Sequence, residues 1–186
     1  PMGAPPDYRP RARGGRAEGG LSSGMLDRAG LLAFLDAHGV DHHTTDHEAV
    51  FRVGEGEGIK DGIPGAHTKN LFLKDRKDAM FLVTVLEEAV VDLKTLPDRI
   101  GAHRLSFGSA GRLMTYLGIE PGSVSPLAAI NDTDCKVSVI LDAELMRHDV
   151  INAHPLVNTM TTSLKREDLV AFLKSVGHPP QVIPVA

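Results

Sequence analysis

The chain has 186 residues, 42% of them apolar and 24% charged, with a net charge of −4. That suits one ordinary domain plus a tail and excludes a generally basic nucleic-acid coat, so any nucleic-acid partner must be gripped by a local patch. No apolar run approaches the roughly 20 residues of a bilayer span, and no charged-then-apolar leader is evident. The single Cys135 rules out a disulfide framework and a Cys-rich zinc site, which favours a reducing, cytoplasmic compartment. With no Trp, two Tyr and six Phe, stacking platforms for single strands are few.

Residues 1–24 are rich in Pro, Gly and Arg and nearly lack apolar side chains, so they read as a disordered extension. Arg9, Arg11, Arg13 and Arg16 make it a possible phosphate-contacting arm. The folded part, 25–186, opens with a helix capped by Asp27, carrying Leu31, Leu32 and Leu35 and stopped at Gly39. A polar, His-rich strand or turn follows over 41–48. Residues 50–59 read as a weak helix or flap, because Gly54, Gly56 and Gly58 each cost a helix about 1 kcal/mol relative to Ala. Two strands over 68–74 and 79–85 flank a polar turn, and a short helix near 93–100 must accommodate Pro97. A short strand at 105–107 precedes a helix capped by Ser109, with Leu113 and Leu117 on its inner face and Gly118 after it. Strands are expected over 124–130, 136–141, 151–156 and 159–164. A last helix carries Leu169, Phe172 and Leu173 to Gly177, and 181–185 reads as an edge strand. Helices and strands alternate without βαβ regularity, so the expected fold is α+β, a single domain with a large mixed sheet and flanking helices.

Nine His invite a metal reading, yet His42, His43, Asp46, His47 and Glu48 carry no ligand-spaced helical motif. In a strand, His43, Thr45 and His47 share one face, so a metal would need ligands from elsewhere and a solvated polar strand is the plainer account. The glycines of 54–58 lack the Lys-Ser/Thr of a phosphate loop, and Glu55 and Glu57 would repel phosphate. No Gly-x-Ser-x-Gly elbow is present. Three stretches stand out. Lys69 shares a strand face with Leu71 and Leu73, so it must snorkel or find a counter-charge. Residues 122–126, Gly-Ser-Val-Ser-Pro, form a rigid turn whose backbone N–H groups could hold a carbonyl or oxyanion. His154, before Pro155, is held extended. Taken singly, they read by default as a surface lysine, a loop and a structural histidine.

Their order and spacing change this. The segments HTKNLFLKD (67–75), RLSFG (104–108), LGIEPGSVSP (117–126), INDT (130–133) and HPLVNT (154–159) together resemble the YbaK/prolyl-tRNA-synthetase-associated family of aminoacyl-tRNA deacylases. The likeness runs over 31–185 and points within that family to its free-standing alanyl-tRNA(Pro) editing proteins. The glycine-rich 54–58 stretch departs from the more regular family helix beside the pocket.

The resemblance implies an enzyme that hydrolyses the ester of mischarged alanyl-tRNA(Pro) in trans. It makes Lys69 the essential lysine, Gly122 the head of the Gly-x-x-x-Pro loop and His154 the pocket histidine, with Asn70, Ser123, Val124, Ser125 and Pro126 as substrate contacts. It implies no metal and no cofactor. The expected partners are the acceptor end of tRNA(Pro) and, transiently, prolyl-tRNA synthetase, with no DNA and no membrane. Cysteinyl- or seryl-tRNA(Pro) is the rival substrate, and a non-catalytic tRNA-binding or regulatory module is the rival class.

Overall fold

The computed structural model describes residues 24–49, 58 and 62–186. The expectations for residues 1–23 and for nearly all of the 50–59 flap lie outside the described residues.

Among the described residues, four helices form where the apolar spacing places them. Helix α1 (Arg28–Ala37) buries Leu31, Phe34 and Leu35, and the Asp27 carboxylate accepts from the Gly30 amide at 2.9 Å. Helix α2 (Leu96–Ile100) begins around Pro97 and ends at Gly101 in the left-handed region. Helix α3 (Ala110–Leu117) is capped by Ser109 and closed by Gly118 at φ 65°. Helix α4 (Arg166–Ser175) buries Leu169, Phe172 and Leu173.

Eight strands form one mixed sheet: β1 (His42–Asp46), β2 (Ala66–Lys74), β3 (Met80–Leu86), β4 (Ser106–Phe107), β5 (Val137–Asp142), β6 (Val150–Ala153), β7 (Met160–Lys165) and β8 (Gln181–Ile183). Their order is β1-β7-β6-β2-β3-β5-β8, with β4 added to the far end of β2. The pairs β2–β6, β3–β5 and β5–β8 are parallel and the others antiparallel. The hairpin β2–β3 is the spine. Its turn is pinned by Asp75, whose carboxylate accepts from the amides of Lys77, Ala79 and His103.

Alternation along the strands divides the core in two. Phe72 and Leu82 face a larger cluster built with α1, α3 and α4. Leu73, Phe81, Val83 and Val85 face a smaller one closed by α2, Leu105 and Val185. Burying a leucine such as Leu31 or Leu73 fully is worth about 1.5–3 kcal/mol, so the two clusters fix which face of β2 each residue presents.

One expected strand is absent. The apolar run 124–130 reads as extended, but Pro126–Asn131 is a buried 3-10 helix. Ser125 is its N-cap, accepting from the Leu127 amide, and Pro126 is its first residue. Pro126 has no N–H for a sheet ladder, whereas at a helix start that donor is unneeded. The run is apolar because it packs between the sheet and the helices.

Candidate active site

Strand order brings together residues far apart in sequence. His67 pairs with Asn152 across β2–β6, Asn152 with Ser163 across β6–β7, and Ser163 with His43 across β7–β1. These four side chains form one cross-strand row, and Ser163 Oγ donates to Asn152 Oδ1. The same face carries Lys69, Thr161 and Thr45 by two-residue alternation. Polar side chains thus occupy the β6–β7–β1 half of a face whose β3–β5 half holds the smaller apolar cluster.

Lys69 stands at the boundary between these halves. Its strand partner is Val85, a member of the apolar cluster, and its Nζ donates to the Ala89 carbonyl oxygen just past β3. Among the described residues the ammonium meets a carbonyl and no carboxylate. No described side chain therefore neutralises it. The sequence expectation is a counter-charge or snorkelling; among the described residues the half-buried Lys69 meets a neutral carbonyl in place of a counter-charge.

The histidines have defined donors. His154 Nδ1 faces the Met160 carbonyl at 2.9 Å, so that nitrogen donates. By the same argument His47 donates from Nδ1 to the Glu48 carbonyl, and its Nε2 accepts from the Thr161 hydroxyl at 2.8 Å. The His47 and His154 rings lie 6.4 Å apart. His67 Nε2 donates to the Ile63 carbonyl. Asn152, nearly fully buried, donates to the Pro64 carbonyl and so ties β6 to the turn that opens β2.

Asn70 and the 122–126 loop have partners of their own. Asn70 faces the side opposite Lys69, where its Oδ1 accepts from the buried Thr84 hydroxyl at 2.6 Å. Residues Pro121–Ser123 form a 3-10 turn, Ser123 and Ser125 are buried, and Val124 packs against the larger cluster. The expectation of a turn with free amides is corrected at one position: the Ser123 amide donates to the Glu120 carbonyl at 2.9 Å. Gly122, Val124 and Ser125 remain as candidate donors. Gly122 is not among the glycines with positive φ, so its value to the loop is not a left-handed backbone.

Sequence reasoning set aside His47 and never weighed Asn152, Thr161 or Ser163. The signal available was the same-face pattern of His43, Thr45 and His47; what completes it is pairing with strands more than 100 residues away. Among the described residues no group of three or more His, Cys, Asp or Glu is arranged to hold a metal ion, and no helix is long and apolar enough to cross a membrane.

The family model of the aminoacyl-tRNA editing domain matches residues 48–172, which include every part of this face except His43, Thr45 and His47. The chain belongs to the aminoacyl-tRNA editing domain family. The prolyl-tRNA editing protein ProX of Acetoanaerobium sticklandii is 35% identical over 155 residues, covering 83% of this chain and 94% of ProX. The prolyl-tRNA synthetase associated domain-containing protein 1 of Danio rerio is 34% identical over 168 residues, covering 89% of this chain and 91% of that protein. A crystal structure described as a candidate trans-editing enzyme for prolyl tRNA synthetase has the same fold. Its TM-score is 0.65 at 17% identity, with 87% of this chain and 98% of that one covered. Editing domains of this family are aminoacyl-tRNA deacylases, hydrolases that cut the ester between amino acid and tRNA. The single-domain mixed sheet is therefore the fold of an editing domain, and the resemblance read from the five sequence segments holds.

Proposed function

We propose that this chain hydrolyses the ester of mischarged tRNA(Pro), with alanyl-tRNA(Pro) as its substrate, and that it acts in trans, meeting prolyl-tRNA synthetase only transiently. Membership in the editing family supports the reaction class, and the likeness to ProX supports tRNA(Pro). The observation that carries the reading is the Lys69 ammonium, held by the Ala89 carbonyl at the edge of a polar sheet face and uncompensated by a carboxylate among the described residues.

In this reading the aminoacyl ester needs no covalent nucleophile, because it is already activated. Water adds to the carbonyl carbon, an oxyanion forms, the bond to the ribose oxygen breaks, and the proton from water ends on that oxygen. Lys69 supplies positive charge beside the scissile bond or the terminal phosphate. Amides of the 122–126 loop, from Gly122, Val124 or Ser125, donate to the developing oxyanion; each such donor is worth roughly 3–4 kcal/mol in a transition state. A ribose hydroxyl of the terminal nucleotide orients the water. His154, its Nδ1 donating to the Met160 carbonyl, shapes the pocket in this reading. Asn70, locked to Thr84, supports the strand from behind.

Selection of alanine rests on exclusion. Attraction to a few methylenes gives only about 1–3 kcal/mol, so a pocket too small for the proline ring discriminates better than one that merely favours alanine. The test is amino-acid release from alanyl-, cysteinyl-, seryl- and prolyl-tRNA(Pro) at catalytic protein levels. Alanine is expected to be released fastest and proline to be spared. No release from any of the four, or fastest release from prolyl-tRNA(Pro), overturns the reading.

A further inference from the structure

The 122–126 loop runs straight into the 3-10 helix Pro126–Asn131, and the far end of that helix is tied down by three buried polar side chains: Asn131, Asp132 and His178. Asn131 Nδ2 donates to the Leu117 carbonyl at 3.0 Å, 14 residues back at the end of α3. One side chain thus closes the excursion that carries the loop. The same Nδ2 donates to the Leu26 carbonyl at 3.0 Å, and Oδ1 accepts from the Leu26 amide at 2.7 Å, so the segment before α1 is gripped as well. Asp132 follows. Its Oδ2 accepts from the Val137 amide at 2.7 Å, at the head of β5, and from His178 Nε2 at 2.9 Å. His178 lies just past α4, 46 residues from Asp132 and beyond the span matched by the family model. Its own amide donates to the Leu173 carbonyl at 2.8 Å, which fixes it to that helix. Only 2% of either side chain is exposed, so water cannot stand in for the bond.

Packing alone does not call for these groups. Pro126 to Ile130 are apolar and buried, and apolar side chains could continue that pattern. A buried ion pair replaced by well-packed apolar residues often leaves stability unchanged. What the polar bonds add is direction. An oxyanion donor must stand roughly 2.7–3.1 Å from the atom it stabilises, and a misplacement of about 1 Å can cost about 100-fold in rate. The 3-10 helix is short, about 10 Å from Pro126 to Asn131 at about 2.0 Å per residue, so a shift at its anchored end reaches the loop.

We propose that Asn131, Asp132 and His178 are positioning residues for the reaction: they fix the 3-10 helix, and through it the backbone amides of Val124 and Ser125. The proposal rests on the deacylase reading for what those amides do. The anchor itself is read by amide hydrogen exchange, so the two can fail separately.

The experiment compares the full chain with His178→Ala, His178→Asn and His178→Gln, each below its melting transition. The amide nitrogen of Gln reaches the place of Nε2 and keeps the bond to Asp132, whereas that of Asn stops at the place of Nδ1 and Ala has none. The reporters are the Ser123, Leu127 and Ala128 amides, which donate to the Glu120 carbonyl, the Ser125 hydroxyl and the Ser125 carbonyl. In whichever of the Ala and Asn variants folds, exchange at these three is expected to quicken tenfold or more, with the β2–β3 amides unchanged. Exchange in His178→Gln is expected near the parent's. In deacylation the broken variants are expected to lose about tenfold in kcat with KM within twofold, and His178→Gln to recover most of it. Combined with Gly122→Ala, the two kcat losses are expected to multiply to less than their product, because both act on the same donors. Parental exchange at the three reporters, or exchange quickened equally in β2–β3, overturns the anchor even if the parent is a fast deacylase. A parental kcat despite faster loop exchange overturns its role in the reaction. No amino-acid release by the parent overturns the deacylase reading, while faster exchange confined to the loop still supports the anchor.

Discussion

Gly65 is where the candidate site depends most directly on backbone geometry. It precedes β2 at φ +109°, outside the narrow left-handed well that other residues visit. A Cβ built there would lie 2.8 Å from Val150 Cγ1, 3.0 Å from the Val150 carbonyl and 3.1 Å from Asn152 Nδ2. Gly101 makes a natural control, at φ +67° with nothing within 4 Å of its Cβ position. Gly101→Ala should lose only the left-handed cost of roughly 1–2 kcal/mol. Gly65→Ala should lose at least that, plus about 1–3 kcal/mol for overpacking against β6. The sum is roughly 2–5 kcal/mol, or about 5–20 °C in melting temperature at 2–4 °C per kcal/mol for a domain of this size. Because the crowded groups include Asn152 and the start of β2, deacylation should fall as well, even at a temperature where the variant is folded. Urea and thermal unfolding of both variants, with turnover measured below the transition, check this. Equal stability of Gly65→Ala and Gly101→Ala would refute the reasoning, since it would mean that β6 gives way freely.

Burial pushes the Asp75 carboxyl upward in pKa, and the amide hydrogens of His103, Lys77 and Ala79 outweigh it, holding the group below its ordinary value. Its contribution to stability is thus present at neutral pH and lost as pH falls through the depressed value; Asp75→Asn should lower the melting temperature by several degrees at pH 7, with the gap to the parent closing below about pH 4. In the 122–126 loop, Gly122→Ala should leave the melting temperature near the parent's, because no positive φ is disturbed, yet lower kcat by about 100-fold if it displaces an oxyanion donor. Ser123→Ala should be mild because its amide, given to Glu120, is retained; the reverse order in stopped-flow deacylation would put a side-chain hydroxyl into the chemistry.

Local signals read well from the sequence and pairings did not. The caps at Asp27 and Ser109, the stops at Gly39, Gly118 and Gly177, and the β2–β3 hairpin were all legible, because each depends on residues within a few positions. The 124–130 segment misled because an apolar run of that length suits a buried strand and a buried 3-10 helix alike; the Ser125–Pro126 start signal was the feature to weigh. The polar face was half legible. Alternation gave His43, Thr45 and His47 one side, but β6 lying parallel to β2 across more than 80 residues, and β7 between β6 and β1, are products of packing that no local pattern carries. The same holds for the buried His178–Asp132 contact at 2.9 Å, which joins the end of α4 to the 3-10 segment 46 residues earlier. Lys69 was legible through its motif, while its acceptor, the Ala89 carbonyl, is a backbone atom with no signature in the sequence.

The most direct test of the central claim is single-turnover release of alanine from alanyl-tRNA(Pro) by the full chain and by Lys69→Ala, each shown to be folded by its melting temperature. An ammonium at Lys69 that stabilises the transition state predicts rapid release by the parent and a loss of about 100-fold or more in the variant. Release at the parental rate by a folded Lys69→Ala protein would contradict the account.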